Sequence, residues 1–591
     1  MPTKSKVLKQ ILLWRYKYVT EHQFLYILSV IVGFLAGLGT LVLKNLTFFF
    51  HDILEGRFIK DIHYLLYFIF PIIGLVLVYY IKKKVIKKEI GHGISTTLYA
   101  VSKRKGIIEK YRIYASLITA PITVGFGGSV GLQGPAVSTG AALGSWTSQL
   151  FHMNTKNRML LIGCATAGAM SSMFKAPVAA IIFALEIFSL DLAFVSLIPL
   201  LLASVSAVVT SYFFFEKDAL LGFELQDDFQ INHIFYFLLL GIATGFASVY
   251  FSKIYFKIIN FFKRFKKPIH RLIFGGFAIG FMLYMLPPLY GEGYEIINNL
   301  LNGDAKKALA DISYNVNMDN VWVVVVFLLL ITIFKAIAMT ITFAAGGVGG
   351  IFIPTLVMGS VLGNVVAKII NQLGGNVSES NFTLIGMTGL MAGVLHAPLT
   401  SIFLIAEITG GYELFVPLML VAAISYALTK YFVANSIYTT ELAEKGELIT
   451  YDKDKNVLMM MDIEREIETN FKVLHPEMTL GEMLKKAVAR SNRNIFPVVN
   501  DKGQFLGIVL LDDIRSVMFD PELYDSITVE TFMKAAPEII FHTDTATQVM
   551  NKFKLSGAWN LPVLKDDKYL GFISKSKLLT AYRNKLIEVT G

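Results

Sequence analysis

Two glycine-rich turns, 219 residues apart, interrupt apolar stretches of the chain in the same pattern. Gly127-Gly128-Ser129-Val130-Gly131-Leu132-Gln133-Gly134-Pro135 matches Gly346-Gly347-Val348-Gly349-Gly350-Ile351-Phe352-Ile353-Pro354. Behind each turn, at an offset of 221, Ala176-Pro177 and Glu186-Ile187 match Ala397-Pro398 and Glu407-Ile408. Several features at offsets of 219 to 221 define two homologous halves. A duplication of that length in apolar sequence is the plan of a transporter fold, with its site where the halves meet.

Composition says where those halves reside. The chain of 591 residues is 54% hydrophobic and only 17% charged, against about 25% in soluble proteins. The charge is uneven. Residues 452–591 carry 19 basic and 20 acidic side chains, and the preceding 451 carry 35 and 24. Residues 1–450 therefore read as an all-α polytopic membrane domain of two repeats, expected to be inverted, with broken helices. Residues 451–591 read as a soluble α/β domain. This excludes a disordered chain and a purely soluble enzyme. Basic loops beside membrane helices account for the net charge of +10, so no nucleic-acid partner is implied. The single cysteine, Cys164, forbids an intrachain disulfide and a multi-cysteine metal site.

The first apolar run, Phe24 to Leu43, follows a basic N-terminus. The second, Tyr64 to Ile81, ends in Lys82, Lys83, Lys84, Lys87 and Lys88. Two spans with basic ends return the chain to the side it began on, read as cytoplasmic, and both termini are expected there. No cleavable leader is recognisable, which suits a bacterial inner membrane. His233–Phe262 and Val321–Phe343 are long enough to span. Other apolar segments break at Gly or Pro after 10–16 residues, short of the roughly 20 a full span needs. Such breaks are tolerated where protein or a polar cavity satisfies the backbone.

A glycine-rich turn that opens a short apolar helix presents backbone N–H groups and the positive end of the helix dipole. It binds an anion without a buried cation. Gly91-His92-Gly93-Ile94 is a third such turn. Pro135 and Pro354 stand where a first-turn proline is tolerated.

With these motifs the chain resembles the CLC chloride channels and chloride/proton antiporters over nearly its whole length. Gly350-Ile351-Phe352-Ile353-Pro354 fits that family's G-x-F-x-P motif, and Gly131-Leu132-Gln133-Gly134-Pro135 sits at its G-K/R-E-G-P motif. Gly91 to Ser95 sits at its G-S-G-I-P motif, and Ser436-Ile437-Tyr438-Thr439 resembles the segment bearing an inner-gate tyrosine. The resemblance implies a homodimer in a bilayer with one anion pathway per subunit. It implies chloride, or a similar small anion, bound by His92, Gly93, Ile94, the N–H groups of Ile351, Phe352 and Ile353, and the Tyr438 hydroxyl.

Three positions depart from the family pattern. Gln133 replaces the gating glutamate and cannot titrate. Ile187 replaces the internal proton-transfer glutamate, one residue after Glu186. His92 replaces a serine, and an unperturbed imidazole titrates near neutrality. The expectation is passive anion conduction. The alternative is an antiporter using Glu186 or His92 as substitute proton carriers. A CBS-regulated cation transporter is a reading from another class, but it would need clustered acids where these repeats are neutral. No H-E-x-x-H motif is present, and no enzyme is expected. Glu186 and Glu407, at equivalent positions, suggest a shared structural role such as bonding backbone N–H groups. Lys175 and Lys335 are expected to snorkel or to pair with a carboxylate.

The tail contains a smaller repeat. Thr479, Phe496-Pro497-Val498 and Leu506-Gly507-Ile508-Val509 match Thr545, Leu561-Pro562-Val563 and Leu570-Gly571-Phe572-Ile573. It resembles a pair of cystathionine-β-synthase-type (CBS) domains, at about 465–520 and 528–589. Related pairs bind adenine nucleotides through a Ser/Thr and an Asp three residues apart. Here Asp513 and Ser574 each keep one half of that pattern. No cofactor is required on this reading, with an adenine nucleotide at the tail as the open alternative.

Overall fold

The computed structural model describes residues 6–58, 63–91, 93–188, 194–214, 231–310, 312, 319–444, 457–458 and 461–590. Contacts divide the chain into two units, Met1–Lys445 and Gly446–Gly591. Apolar runs in the first unit are helical because a bilayer offers the backbone no other partner. After α1 (Lys6–Tyr18), the first half comprises α2 (Glu21–Phe58), α3 (His63–Ile81), α4 (Gly93–Lys103) and α5 (Tyr111–Gly125). It continues through α6 (Gln133–Leu150), α7 (Thr155–Phe174), α8 (Pro177–Phe188) and α9 (Phe194–Phe214). The second half comprises α10 (Ile234–Lys263), α11 (Pro268–Met285), α12 (Tyr294–Leu301), α13 (Ala305–Ala308) and α14 (Val321–Ala344). It continues through α15 (Phe352–Gln372), α16 (Glu379–Leu395), α17 (Pro398–Ile408) and α18 (Phe415–Phe432), and α19 (Thr440–Glu444) follows.

The halves repeat their packing as well as their sequence. α2 lies on α7 and α9, as α10 lies on α16 and α18; α6 packs on α7, as α15 packs on α16. Among the described residues, eight helices are long and apolar enough to cross a membrane. Seven leave half or more of their apolar window open, whereas that of α15 is 83% buried. Protein, not lipid, therefore surrounds α15.

Two shorter apolar helices reveal how the halves are related. α8 and α17 have 12 and 11 residues. At about 1.5 Å per residue that is some 18 Å, well short of the ~30 Å hydrocarbon core. Their first-turn N–H groups would be orphaned in lipid, and each set is satisfied by the other half. Glu407, at the end of α17, accepts from the N–H groups of Val178 (3.1 Å) and Ala179 (2.9 Å). Glu186, near the end of α8, accepts from Leu399 N–H (3.2 Å), Thr400 N–H (2.9 Å) and Thr400 Oγ1 (2.6 Å). Donors and acceptors occupy equivalent repeat positions. The two helices thus run antiparallel about a local two-fold axis perpendicular to them, which makes the repeats inverted. The backbone bonding suggested by the equivalence of Glu186 and Glu407 is present, and each carboxylate also lies at a positive dipole end.

Both repeats end the preceding helix without glycine. Lys175 (φ 56°) and His396 (φ 55°) take the left-handed conformation at equivalent positions after α7 and α16. The Lys175 ammonium lies 4.9 Å from the Tyr212 ring centre, so an aromatic face takes the place of the expected carboxylate. His396 meets Tyr426 edge-on at 5.6 Å. Lys335 is wholly buried and donates to the carbonyls of Leu289 (3.2 Å) and Gly291 (3.0 Å). It does not snorkel: its polar partners lie inside the protein.

The second unit holds two modules. In the first, β1 (Ile495–Val499) and β2 (Phe505–Leu510) pair antiparallel behind the helix Leu480–Lys486. In the second, β3 (Ile540–Phe541) runs parallel to β4 (Asn560–Lys565), which pairs antiparallel with β5 (Lys568–Ser574). Thr479 and Thr545 cap their helices at matching positions. Each module has its own apolar core, and a third cluster around Phe471, Ile495, Ile508 and Phe572 contains residues of both.

Removing either clasp glutamate leaves first-turn N–H groups unpaired, at about 1–3 kcal/mol for each buried group. Glu186→Ala should lower the detergent melting temperature more than Glu407→Ala, because Glu186 holds three donors and Glu407 two. Equal effects, or none, would remove the clasp from the account of stability.

Candidate functional site

The matched turns meet. Gly128 N–H donates to Thr123 O (2.8 Å) and, in the other repeat, Gly347 N–H donates to Thr342 O (2.9 Å). Gly127 (φ 91°) and Gly346 (φ 104°) reverse the chain in the left-handed region that favours glycine. The turns then lie side by side. Gly131 N–H donates to Gly350 O (2.9 Å) and Gly350 N–H to Gly131 O (2.6 Å), an antiparallel bridge between equivalent residues. A Cβ on Gly350 would stand 2.6 Å from the Gly134 nitrogen, so this approach excludes any side chain. A Cβ on Gly93 would stand 2.4 Å from Gly134 O. The N-termini of α4, α6 and α15 therefore converge, and all three glycine turns named from sequence come together.

The α15 entrance is built of buried residues. Ile351, Phe352 and Ile353 are all enclosed. The Phe352 ring packs on Phe174 (5.4 Å) and Phe183 (6.2 Å), which holds the first turn in place. No described side chain caps this helix. Its first-turn N–H groups and dipole end form a neutral anion-attracting pole inside the membrane unit. Tyr438 precedes α19, is 5% exposed, and its hydroxyl has no hydrogen-bond partner among the described residues. Gly93 and the buried Ile94 open α4. His92 lies outside the described residues. Ile187 is buried on α8, beside the Glu186 clasp.

The α6 entrance differs. Leu132 N–H donates to Glu292 Oε1 at 2.8 Å, so a carboxylate from 160 residues away sits on this helix start. Gln133 is fully buried, and its Nε2 donates to the Tyr294 hydroxyl at 3.1 Å. The Gln133 Oε1 atom is buried without a partner among the described residues. Sequence reasoning missed Glu292 and Tyr294. The available signal was Tyr290-Gly291-Glu292-Gly293-Tyr294, a lone carboxylate between glycines directly after Pro287-Pro288-Leu289.

The family model described as voltage gated chloride channel matches residues 74–430, more than half of the chain. The chain belongs to that family. A CBS-domain model matches residues 462–520. A ClcB-like protein of Ralstonia nicotianae is 27% identical over 362 residues, 60% of this chain and 80% of that one. The H(+)/Cl(−) exchange transporter ClcA of Salmonella paratyphi B is 25% identical, over 71% of this chain and 88% of that one. Among solved structures, a slow cyanobacterial Cl−/H+ antiporter aligns at TM-score 0.60 with 20% identity, over 71% of this chain and 97% of that one. A eukaryotic CLC transporter aligns at TM-score 0.59 with 16% identity, over 97% and 99%. These structural likenesses carry the CLC fold. The chain is a membrane protein of a family that transports anions.

In the CBS pair, the Ser574 hydroxyl donates to Glu468 Oε1 (2.8 Å), and Arg493 binds the other carboxylate oxygen. Glu468 is also paired through its backbone with Phe572 (2.7 and 2.9 Å). Asp513 takes Lys534 Nζ at 2.7 Å on one oxygen, while the other is buried and unpartnered among the described residues. Both residues suggested for a nucleotide thus have partners within the chain.

Burial pushes the Glu468 carboxyl up, but the Ser574 hydroxyl and the Arg493 guanidinium outweigh it and hold the carboxyl below its usual range. A depressed carboxyl stabilises the fold above its unfolded value of ~4.3 and loses that stability as pH falls through the folded value. Glu468→Gln in the full-length protein should weaken amide-exchange protection in β5 by about 1 kcal/mol at pH 7. The gap to wild type should close in acid, and a gap independent of pH would contradict the assignment. At the membrane site, Gly350→Ala should abolish transport and lower the yield of folded protein, because the methyl group meets backbone.

Proposed function

We propose that this protein conducts chloride passively, as a CLC-type channel or uncoupled anion transporter. The observation that carries the reading is Gln133. It is fully buried at the first residue of α6, beside the Gly131–Gly350 bridge, and its amide neither ionises nor carries a proton. Ile187 removes proton chemistry at the second family position. The anion contacts on this reading are the N–H groups of Ile351, Phe352 and Ile353, the turn at Gly93 and Ile94, and the Tyr438 hydroxyl. An unpaired buried hydroxyl is costly unless something accepts from it, and a chloride ion would.

The competing reading is chloride/proton exchange, the activity named for several relatives. Of the two carriers named from the sequence, Glu186 and His92, only Glu186 lies within the described residues. That carboxylate is held by three donors of α17, which favours a clasp over a shuttle. The other parts of the proposal are a homodimer in a bacterial inner membrane, termini in the cytoplasm, and a CBS pair that works as a structural module without bound nucleotide.

The test uses purified protein in liposomes under a chloride gradient, with external chloride and pH recorded together. Chloride efflux should require a potassium ionophore and move no protons. Uphill proton movement driven by chloride would overturn passive conduction, and Glu186→Gln would then be the next variant to assay.

A further inference from the structure

The α6 start presents a backbone donor to which the protein supplies its own anion. The Glu292 carboxylate accepts Leu132 N–H at 2.8 Å, one residue before Gln133. The neighbouring Gln133 amide is fully buried, with one end bonded to Tyr294 and its oxygen unpartnered among the described residues. Glu292 is only partly buried. It lies in the wall of a cavity of about 200 Å³, together with Thr47, His51, Tyr67, Tyr290 and Tyr294. The carboxylate therefore touches the α6 backbone donor on one side and the cavity on the other.

We infer that Glu292 is the gate of the pathway: it occupies the α6 donor as a tethered anion, and its protonation releases that donor to a mobile one. The inference rests on the passive-conduction reading and adds its regulation. A carboxylate and a chloride ion compete for the same N–H because both are small anions attracted to a helix start. A neutral carboxylic acid loses most of that attraction. Protonation also leaves the Lys44 and Lys335 ammonium groups, which interact electrostatically with Glu292, without their counter-charge.

The other groups around Glu292 are assigned as follows. Lys44, on α2, donates to Met173 O (2.8 Å), and Lys335, on α14, donates to the Leu289 and Gly291 carbonyls. Tyr294, on α12, accepts from Gln133. His51, on α2, stacks on Tyr290 at 6.3 Å, and Glu295 and Lys307 lie in the cavity wall. His51 is an ionisable side chain on the same cavity, so it needs its own variant.

The experiment measures ionophore-dependent chloride efflux from proteoliposomes across a series of pH values, with proton movement recorded in the same vesicles. Wild-type efflux should rise on acidification. Glu292→Gln should raise efflux at neutral pH about tenfold, the loss expected when a charge-assisted bond no longer holds the closed state, and should flatten the pH profile. His51→Asn should keep the wild-type profile. If Glu292→Gln does not yield folded protein, Glu292→Asp is read instead. Its shorter side chain falls short of Leu132 N–H, so it should also be open at neutral pH. A Glu292 variant that retains both the wild-type rate and pH profile overturns the gate, as does a flat profile in His51→Asn alone. Uphill proton transport by the wild type overturns passive conduction, whatever the Glu292 variants do.

Discussion

A broken helix in a bilayer exposes backbone N–H groups that lipid cannot satisfy, and the membrane unit is organised around that constraint. Each half supplies the partners the other lacks. Glu186 and Glu407 close the starts of α17 and α8, and Gly131 and Gly350 close the two glycine turns on each other. Duplication makes this possible, because a two-fold axis turns one donor–acceptor pair into two. The bonds that join the halves are therefore also those that permit short helices to end in the interior. The starts of α4, α6 and α15 converge by the same construction, which is why the proposed anion contacts lie there.

The two helix starts at the centre are equivalent in sequence yet differ in use. The α15 start is enclosed, uncapped among the described residues, and pinned by Phe352 against Phe174 and Phe183. The α6 start is occupied by Glu292 and flanked by the neutral Gln133. Family members with a glutamate at the Gln133 position place the carboxylate on the helix itself. Here a carboxylate comes from the segment between α11 and α12, where Lys335 holds the neighbouring carbonyls in place. A position read from the motif alone as the loss of a charge has, in space, a carboxylate from another segment next to it.

The CBS pair shows a related economy of partners. Its two modules repeat helix, strand, turn and strand, each with its own core, and aromatic residues of both share a cluster. Glu468 joins Ser574, Arg493 and the Phe572 backbone in one network. The Ser574 hydroxyl, at the position that resembles a nucleotide contact, takes part in that network.

Much of this was legible in the chain. The repeat offset, the charge contrast between the two regions, the glycine turns and the absence of glutamate at Gln133 and Ile187 are all properties of residue order. They set the membrane class and the duplication, and they single out the helix starts on which the proposed anion contacts rest. Equivalent positions also pointed to a common role for Glu186 and Glu407, because symmetry is visible in numbering. Tertiary structure alone decided which donor each glutamate meets, that Gly131 and Gly350 face each other, that Lys335 is buried rather than snorkelling, and that Glu292 reaches Leu132. Those contacts join residues 44 to 229 positions apart. Local periodicity carries no information on such pairs; they arise only when two inverted halves bring remote helix ends to one place.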